Sequence, residues 1–356
     1  MKFRTEYVAK RAPFVIDPSK PTVLLGSCFA DNIATRMRAC LWVAENPLGT
    51  LYNPLSIATA LEVALETADE LEDKENISVE KRGSKEVSEE DIVAVGEEKN
   101  IGELRGYRRF EESLFEAGGM WRSWLFDSKI SAETVEDVRV AFVERGRRLH
   151  SLLSRAEVMF VTFGTAWCYY LSDRDGYLVA NCHKQPSAMF ERRRLNVGEI
   201  VEVWKDLIMK LKERYPQLKI VFTVSPVRHL KDGFEGNARS KAILLLATEE
   251  LCNALEDCFY FPAYEIVNDD LRDYRFYASD LVHPSEEAVE YIWGIFKDTY
   301  IDSKGFQLLK EGKAIRKGLE HRPLPNATRV MSQAAIEREE ARIAALEERK
   351  KNFLMK

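Results

Sequence analysis

The sequence predicts an α/β protein, a three-layer α/β/α sandwich on a five-stranded parallel sheet, with a charged insertion and a C-terminal helix. Three observations predict it. Five short runs, at 22–25, 42–44, 158–163, 220–224 and 259–261, are apolar without alternation, as strands buried on both faces must be. Each is followed by a turn and then a helical pattern, and alternation of strand and helix implies a sheet covered on both sides. The chain has 356 residues, 46% hydrophobic and 31% charged, the balance of a folded globular protein with a sizeable core.

Taken in order, the first run ends at Gly26-Ser27, where a helix begins. After the second run, residues 66–109 leave the alternation. They are rich in Glu and Lys and poor in aromatics, and within an insertion of about 66–125 they read as an exposed excursion or a small hairpin lobe. A substrate lid is the functional alternative. Trp121 and Trp124 then suit packing of that lobe against the domain better than lining of a sugar cleft. From Val135 onward, Val138, Phe142, Leu149 and Leu152 recur at helical spacing. Asn196 and Glu199 form a capping box ahead of the stripe Ile200, Trp204, Leu207, Ile208 and Leu211. Pro284-Ser285-Glu286-Glu287 opens the last domain helix, with acidic residues where the helix dipole favours them. The domain is expected to span 20–300. Residues 301–356 form a helical extension, and 328–351 read as one charged helix with a narrow apolar stripe of Ile336, Ile343, Ala344 and Leu346. Such a stripe suits the domain's own surface or a second copy of the chain, hence a homo-oligomer.

Composition narrows the function. A net charge of −6 and a pI near 5.7 argue against nucleic acid as partner. The six cysteines lack C-x-x-C pairs and read as reduced thiols of a cytoplasmic protein. Zinc held by Cys168, Cys182 and His183 lacks paired ligand spacing, so neither metal nor cofactor is expected. No run of about eighteen apolar residues suggests a membrane span, and residues 1–20 lack the apolar core of a signal peptide.

Two features point to chemistry. A serine at a strand-to-helix turn projects over the carboxyl edge of the sheet, where a helix N-terminus offers N–H groups to a developing oxyanion. Ser27 occupies such a turn, and its alternative reading is a plain helix N-cap. After the last strand, Asp280 precedes His283 by three residues. A carboxylate so placed can hold one imidazole nitrogen and leave the other free to deprotonate a hydroxyl. Cys28 is the rival nucleophile. Arg228 and His229, just past the fourth strand, are placed to bind an anionic substrate group, and His183 with Lys184 to contact substrate from another loop; bonding to neighbouring loops is the bland reading of each.

Gly26-Ser27-Cys28-Phe29-Ala30 is the string after which the GSCFA family is named. Further blocks resemble that family: residues 47–54, Thr162-Phe163-Gly164-Thr165-Ala166-Trp167, 181–186, 225–229, and 273–277 leading to Asp280 and His283. On these the chain is identified as a member. The family's resemblance to SGNH (GDSL-like) hydrolases implies a flavodoxin-like sheet and an ester-hydrolysing site: Ser27 as nucleophile, Asp280 and His283 as its base pair, and the backbone N–H groups of Ser27 and Gly49 as oxyanion donors. It further implies Gly164 and Trp167 as substrate contacts. A small-molecule or carbohydrate ester is the implied substrate, with a glycan O-acyltransferase or a non-catalytic binding protein as alternatives. The third block departs from the pattern, because Ala166 stands where an asparagine donor is usual. Asn53, Thr165 and the Trp167 indole are its candidate substitutes.

Overall fold

The computed structural model describes residues 4–82, 104–320 and 333–355. β1 (Thr22–Gly26) passes through Ser27 into α1 (Cys28–Arg38), followed by β2 (Ala44–Glu45), α2 (Pro54–Arg82) and α3 (Arg105–Glu111). A small antiparallel sheet comes next: β3 (Leu114–Ala117), β4 (Met120–Ser123) and β5 (Ser131–Ala132). α4 (Val135–Leu153) then leads to β6 (Val158–Phe163), and a second antiparallel sheet is made of β7 (Trp167–Leu171), β8 (Leu178–Val179) and β9 (Phe190–Arg194). α5 (Val197–Arg214), β10 (Lys219–Val224), α6 (Gly233–Ala254), β11 (Cys258–Tyr260) and α7 (Glu286–Tyr300) complete the domain. α8 (Ser303–Glu320) and α9 (Gln333–Leu354) close the chain.

The main sheet runs β11-β10-β6-β1-β2 with every pairing parallel. By chain order within the sheet this is 2-1-3-4-5, so the winding direction reverses between β1 and β6. In open α/β sheets the carboxyl edge at that switch point forms the ligand crevice. The expected α/β/α sandwich is therefore the observed one.

The pleat explains why the strands are apolar without alternation. Val23 and Leu25 face one core with Met159, Val161, Ile220 and Phe222, while Leu24 faces the other with Val158, Phe160 and Val221. Successive side chains point to opposite faces, and both faces are covered. The first core takes α2, α4, α5 and α6, the second α1 and α7. Trp204 of α5, fully buried, spends its indole N–H on Pro54 O at 3.1 Å, so the polar atom on the stripe is satisfied. The Asn196–Glu199 capping box forms as expected.

The insertion differs from the expected exposed excursion. Residues 66–82 continue α2, and Thr67, Ala68 and Leu71 are buried. Ile57, Ala60, Leu61, Ala64, Ala68 and Leu71 recur every three or four residues, a helical stripe that the surrounding Glu and Lys hid. α3 lies on this helix so closely that a Cβ at Gly106 would meet the Thr67 backbone N at 2.7 Å. A hairpin does follow, at β3–β4. Trp124 stacks on Phe115 with ring centroids 3.6 Å apart and belongs to the packing of this lobe. Residues 83–103 lie outside the described residues, and with them the lid reading.

α9 packs on α8: Leu346 covers Gly318, Arg342 donates to Gly318 O at 2.8 Å, and Phe353 is buried. Among the described residues no helix is long and apolar enough to cross a membrane.

Candidate active site

Gly26 ends β1 with φ +114, and a Cβ there would lie 2.1 Å from Thr162 O. No other residue tolerates that approach, and it is what lets the chain turn at the switch point. Ser27 then caps α1: its Oγ accepts from Phe29 N–H at 3.4 Å, and it is 1% exposed. Its own N–H donates to Thr162 O at 3.1 Å. Gly49 N–H donates to Asn46 O at 3.3 Å. Both backbone groups expected to serve an oxyanion are thus engaged within the fold, because the turns that place them need those bonds.

Asp280 and His283 form the expected pair. His283 Nδ1 and Asp280 Oδ2 are 2.6 Å apart, and Asp280 Oδ1 accepts the N–H groups of Val282 and His283 at 2.9 and 3.0 Å. Those backbone donors, His283 first, and then the ring hold the Asp280 carboxyl down at about 2. The tight turn puts Leu281 at φ +57, a conformation costly for a branched residue. Backbone bonds hold the loop: Arg228 N–H, from the loop after β10, donates to Val282 O at 3.3 Å, and within the turn Ala278 N–H donates to His283 O at 2.8 Å.

His283 opens on a cleft of about 400 Å³ at the carboxyl edge, shared with Cys28, Asn53, Thr165, Trp167, Arg228 and His229. The structure brings these residues together. Ser27 does not line the cleft, although the next residue, Cys28, does; no hydrogen bond joins Ser27 to His283 among the described residues. Burial, then Asp31, pushes the Cys28 thiol up, which favours the unreactive protonated form. Gly164 and His183 lie off the cleft wall. Gly164 and Thr165 N–H groups both donate to Tyr52 O, at 2.7 and 3.0 Å. His183, at φ +46, packs edge-on against Phe115 and Trp124, and burial holds it at about 4. From its loop Asn181 and Cys182 reach the cleft instead.

The three candidates for the missing third donor separate clearly. Asn53 caps α2, its amide donating to Ser56 Oγ at 2.9 Å and its Oδ1 accepting Ser56 N–H at 2.8 Å. Thr165 Oγ1 sits 3.1 Å from Ser240 Oγ and accepts the Trp167 N–H at 3.2 Å. Trp167 Nε1 is buried with no partner.

Sequence reasoning missed two residues here. Arg192 of β9 lines the cleft and ion-pairs with Asp232 at 2.6 Å. Lys241, fully buried, donates to Gly164 O and Ser225 O at 2.6 and 2.7 Å, tying together the loops beyond β6 and β10. Its signal was present: 241 falls on the buried stripe of α6 with Leu244, Thr248 and Leu251. Among the described residues no group of three or more His, Cys, Asp or Glu side chains is arranged to hold a metal ion.

The GSCFA family model matches residues 21–100 and 102–296, most of the chain. The chain belongs to the GSCFA family. The match takes in Gly26 through Ala30, the cleft and the Asp280–His283 turn, and ends within α7. A search of the curated proteins finds none that matches this GSCFA protein.

Proposed function

We propose that this GSCFA protein is a serine-dependent ester hydrolase of the SGNH type, acting on an acyl or carbohydrate O-acyl ester. One observation carries the reading. Asp280 holds Nδ1 of His283 at 2.6 Å, which leaves Nε2 of a ring with 45% side-chain exposure available on the cleft that begins one residue after Ser27. That is the arrangement a general base needs: one nitrogen oriented by a carboxylate, the other free.

In this reading His283 Nε2 takes the Ser27 hydroxyl proton as Oγ bonds to the ester carbonyl carbon. The carbonyl electron pair moves to oxygen, stabilised at the α1 N-terminus by the Cys28 N–H and by the Phe29 N–H that the departing Oγ releases; the Ala30 N–H is already bonded to Ser27 O at 2.8 Å. The tetrahedral species collapses, the C–O bond to the alcohol breaks, and His283 returns the proton to the leaving oxygen. Water, deprotonated by His283, then releases the acid and restores Ser27. For this the buried Oγ must leave its long bond to Phe29 N–H and come into the cleft that Cys28 lines.

A fluorophosphonate probe tests the assignment. Wild type and Cys28→Ala should be labelled and Ser27→Ala should not; labelling that persists in Ser27→Ala and disappears in Cys28→Ala would refute it. A second reading, a binding protein that retains the fold, is favoured by the burial of Ser27 and by the internal bonding of the Ser27 and Gly49 N–H groups. It predicts no labelling of any of the three proteins.

A further inference from the structure

One wall of the cleft carries polar groups that the fold leaves unanswered. Trp167 Nε1, Arg192 Nε and His229 Nε2 are all buried without a hydrogen-bond partner, and all three residues line the cleft. An unpaired buried polar group costs on the order of 1–3 kcal/mol, so three in one place, two of them (Trp167 Nε1 and Arg192 Nε) donors only, call for a partner from outside the fold.

These groups form one assembly. The Arg192 guanidinium lies 4.9 Å from the Trp167 ring centroid, and its other end is fixed by Asp232 at 2.6 Å. The Asp232 bond uses Nη2 and leaves Nε–H unpaired, so the pair is anchored with a donor to spare. Burial and then Lys241 hold His229 at about 4, so its ring is neutral near pH 7 and can donate from one nitrogen.

The net charge of the wall is positive. Arg192 and Asp232 cancel, while Arg228 and Lys231 remain. Arg228 sits 4.5 Å from the Tyr277 ring centroid, Lys231 donates to Tyr169 Oη at 3.1 Å, and among the described residues neither has a carboxylate partner. On a chain of net charge −6, a cleft wall with two uncompensated cations is a local exception.

We propose that this wall binds an oxyanion group of the substrate, a carboxylate, sulfate or phosphate, with Trp167, Arg192 and His229 as hydrogen-bond donors and Arg228 and Lys231 as the neutralising charge. On the hydrolase reading the ester cleaved is therefore an anionic one. This deepens the hydrolase reading and rests on it for the word ester alone; anion binding stands or falls by itself.

The test uses the full chain at pH 7.5 and constant ionic strength, titrated calorimetrically with sodium acetate, sulfate and phosphate in separate arms and with chloride as the control. Saturable binding of at least one oxyanion is expected, and the strongest arm names the group. Arg228→Gln and Trp167→Phe should each weaken it by about tenfold or more, the value of a charge-assisted or desolvated hydrogen bond. Arg239→Gln, which alters an exposed pair with Glu235, should leave it unchanged. Absence of saturable binding in all three arms, or equal affinity in wild type and both wall variants, overturns the proposal. Oxyanion binding without Ser27-dependent labelling would uphold it and remove the hydrolase reading.

Discussion

Replacing Lys241 by methionine should change how stability depends on pH. The amine is fully buried, and burial pushes its ionisation from 10.5 down to about 7. A neutral amine has two N–H bonds, which match the two carbonyls that Lys241 meets, Gly164 O and Ser225 O. Because the folded value lies below the unfolded one, the unfolded chain binds a proton between about pH 7 and 10.5 that the folded protein does not. Folding stability therefore rises with pH across that window, by up to about 1.4 kcal/mol per pH unit and about 5 kcal/mol in all. Below about pH 7 both states carry the proton and the slope vanishes. Lys241→Met removes this term and leaves two carbonyls without donors, a loss of about 1–3 kcal/mol each. Urea unfolding at pH 6, 7, 7.5 and 9 measures the outcome. The stability advantage of wild type over Lys241→Met should grow by about 2 kcal/mol between pH 7.5 and 9, and change little between pH 6 and 7. Curves that stay parallel from pH 6 to 9 would show that Lys241 does not titrate in the window and that the argument fails.

Two further substitutions probe the turns that build the site. Gly26→Ala forces a Cβ to 2.1 Å from Thr162 O at a φ of +114, so it should destabilise by more than about 4 kcal/mol, seen as a collapse in Tm or in soluble yield. Asp280→Asn keeps an acceptor for the Val282 and His283 N–H groups but loses the charge on Nδ1. On the hydrolase reading kcat/KM for a Ser27-dependent ester should fall by about 10²–10⁴ with little change in Tm, and an unchanged rate would remove Asp280 from the mechanism.

The sheet and its helices were legible because their signals are local. An unbroken apolar run such as 158–163 states that both faces are covered, and the Asn196–Glu199 box marks a helix start by two reciprocal bonds. The Asp280–His283 pair was legible for the same reason, since the four residues of one turn make it. What escaped depends on tertiary placement. By alternation Arg192 shares the face of Phe190, but that this face meets the cleft depends on how the second small sheet turns β9 towards it. Lys241 needed the two carbonyls brought to it from other loops. The fate of the Ser27 and Gly49 N–H groups likewise depends on carbonyls at Thr162 and Asn46 whose direction only the folded turns decide. The buried half of α2 was the opposite case: its stripe was local and present, but net composition masked it.

The reversal of winding between β1 and β6 also has a consequence in time. Cys28 and His283, which share the cleft, stand about seven-tenths of the sequence apart and come from the first and last turns of the domain. A chain made from its N-terminus exposes the Gly26–Ser27 turn early, yet the cleft has no complete wall until the last strand is inserted and the Asp280 turn closes over it. A chain released short of that turn would keep Ser27 and all five strands of the sheet while lacking the Asp280–His283 pair. The topology thus makes synthesis past Asp280 and His283 a precondition for the complete cleft, without any separate device to enforce it.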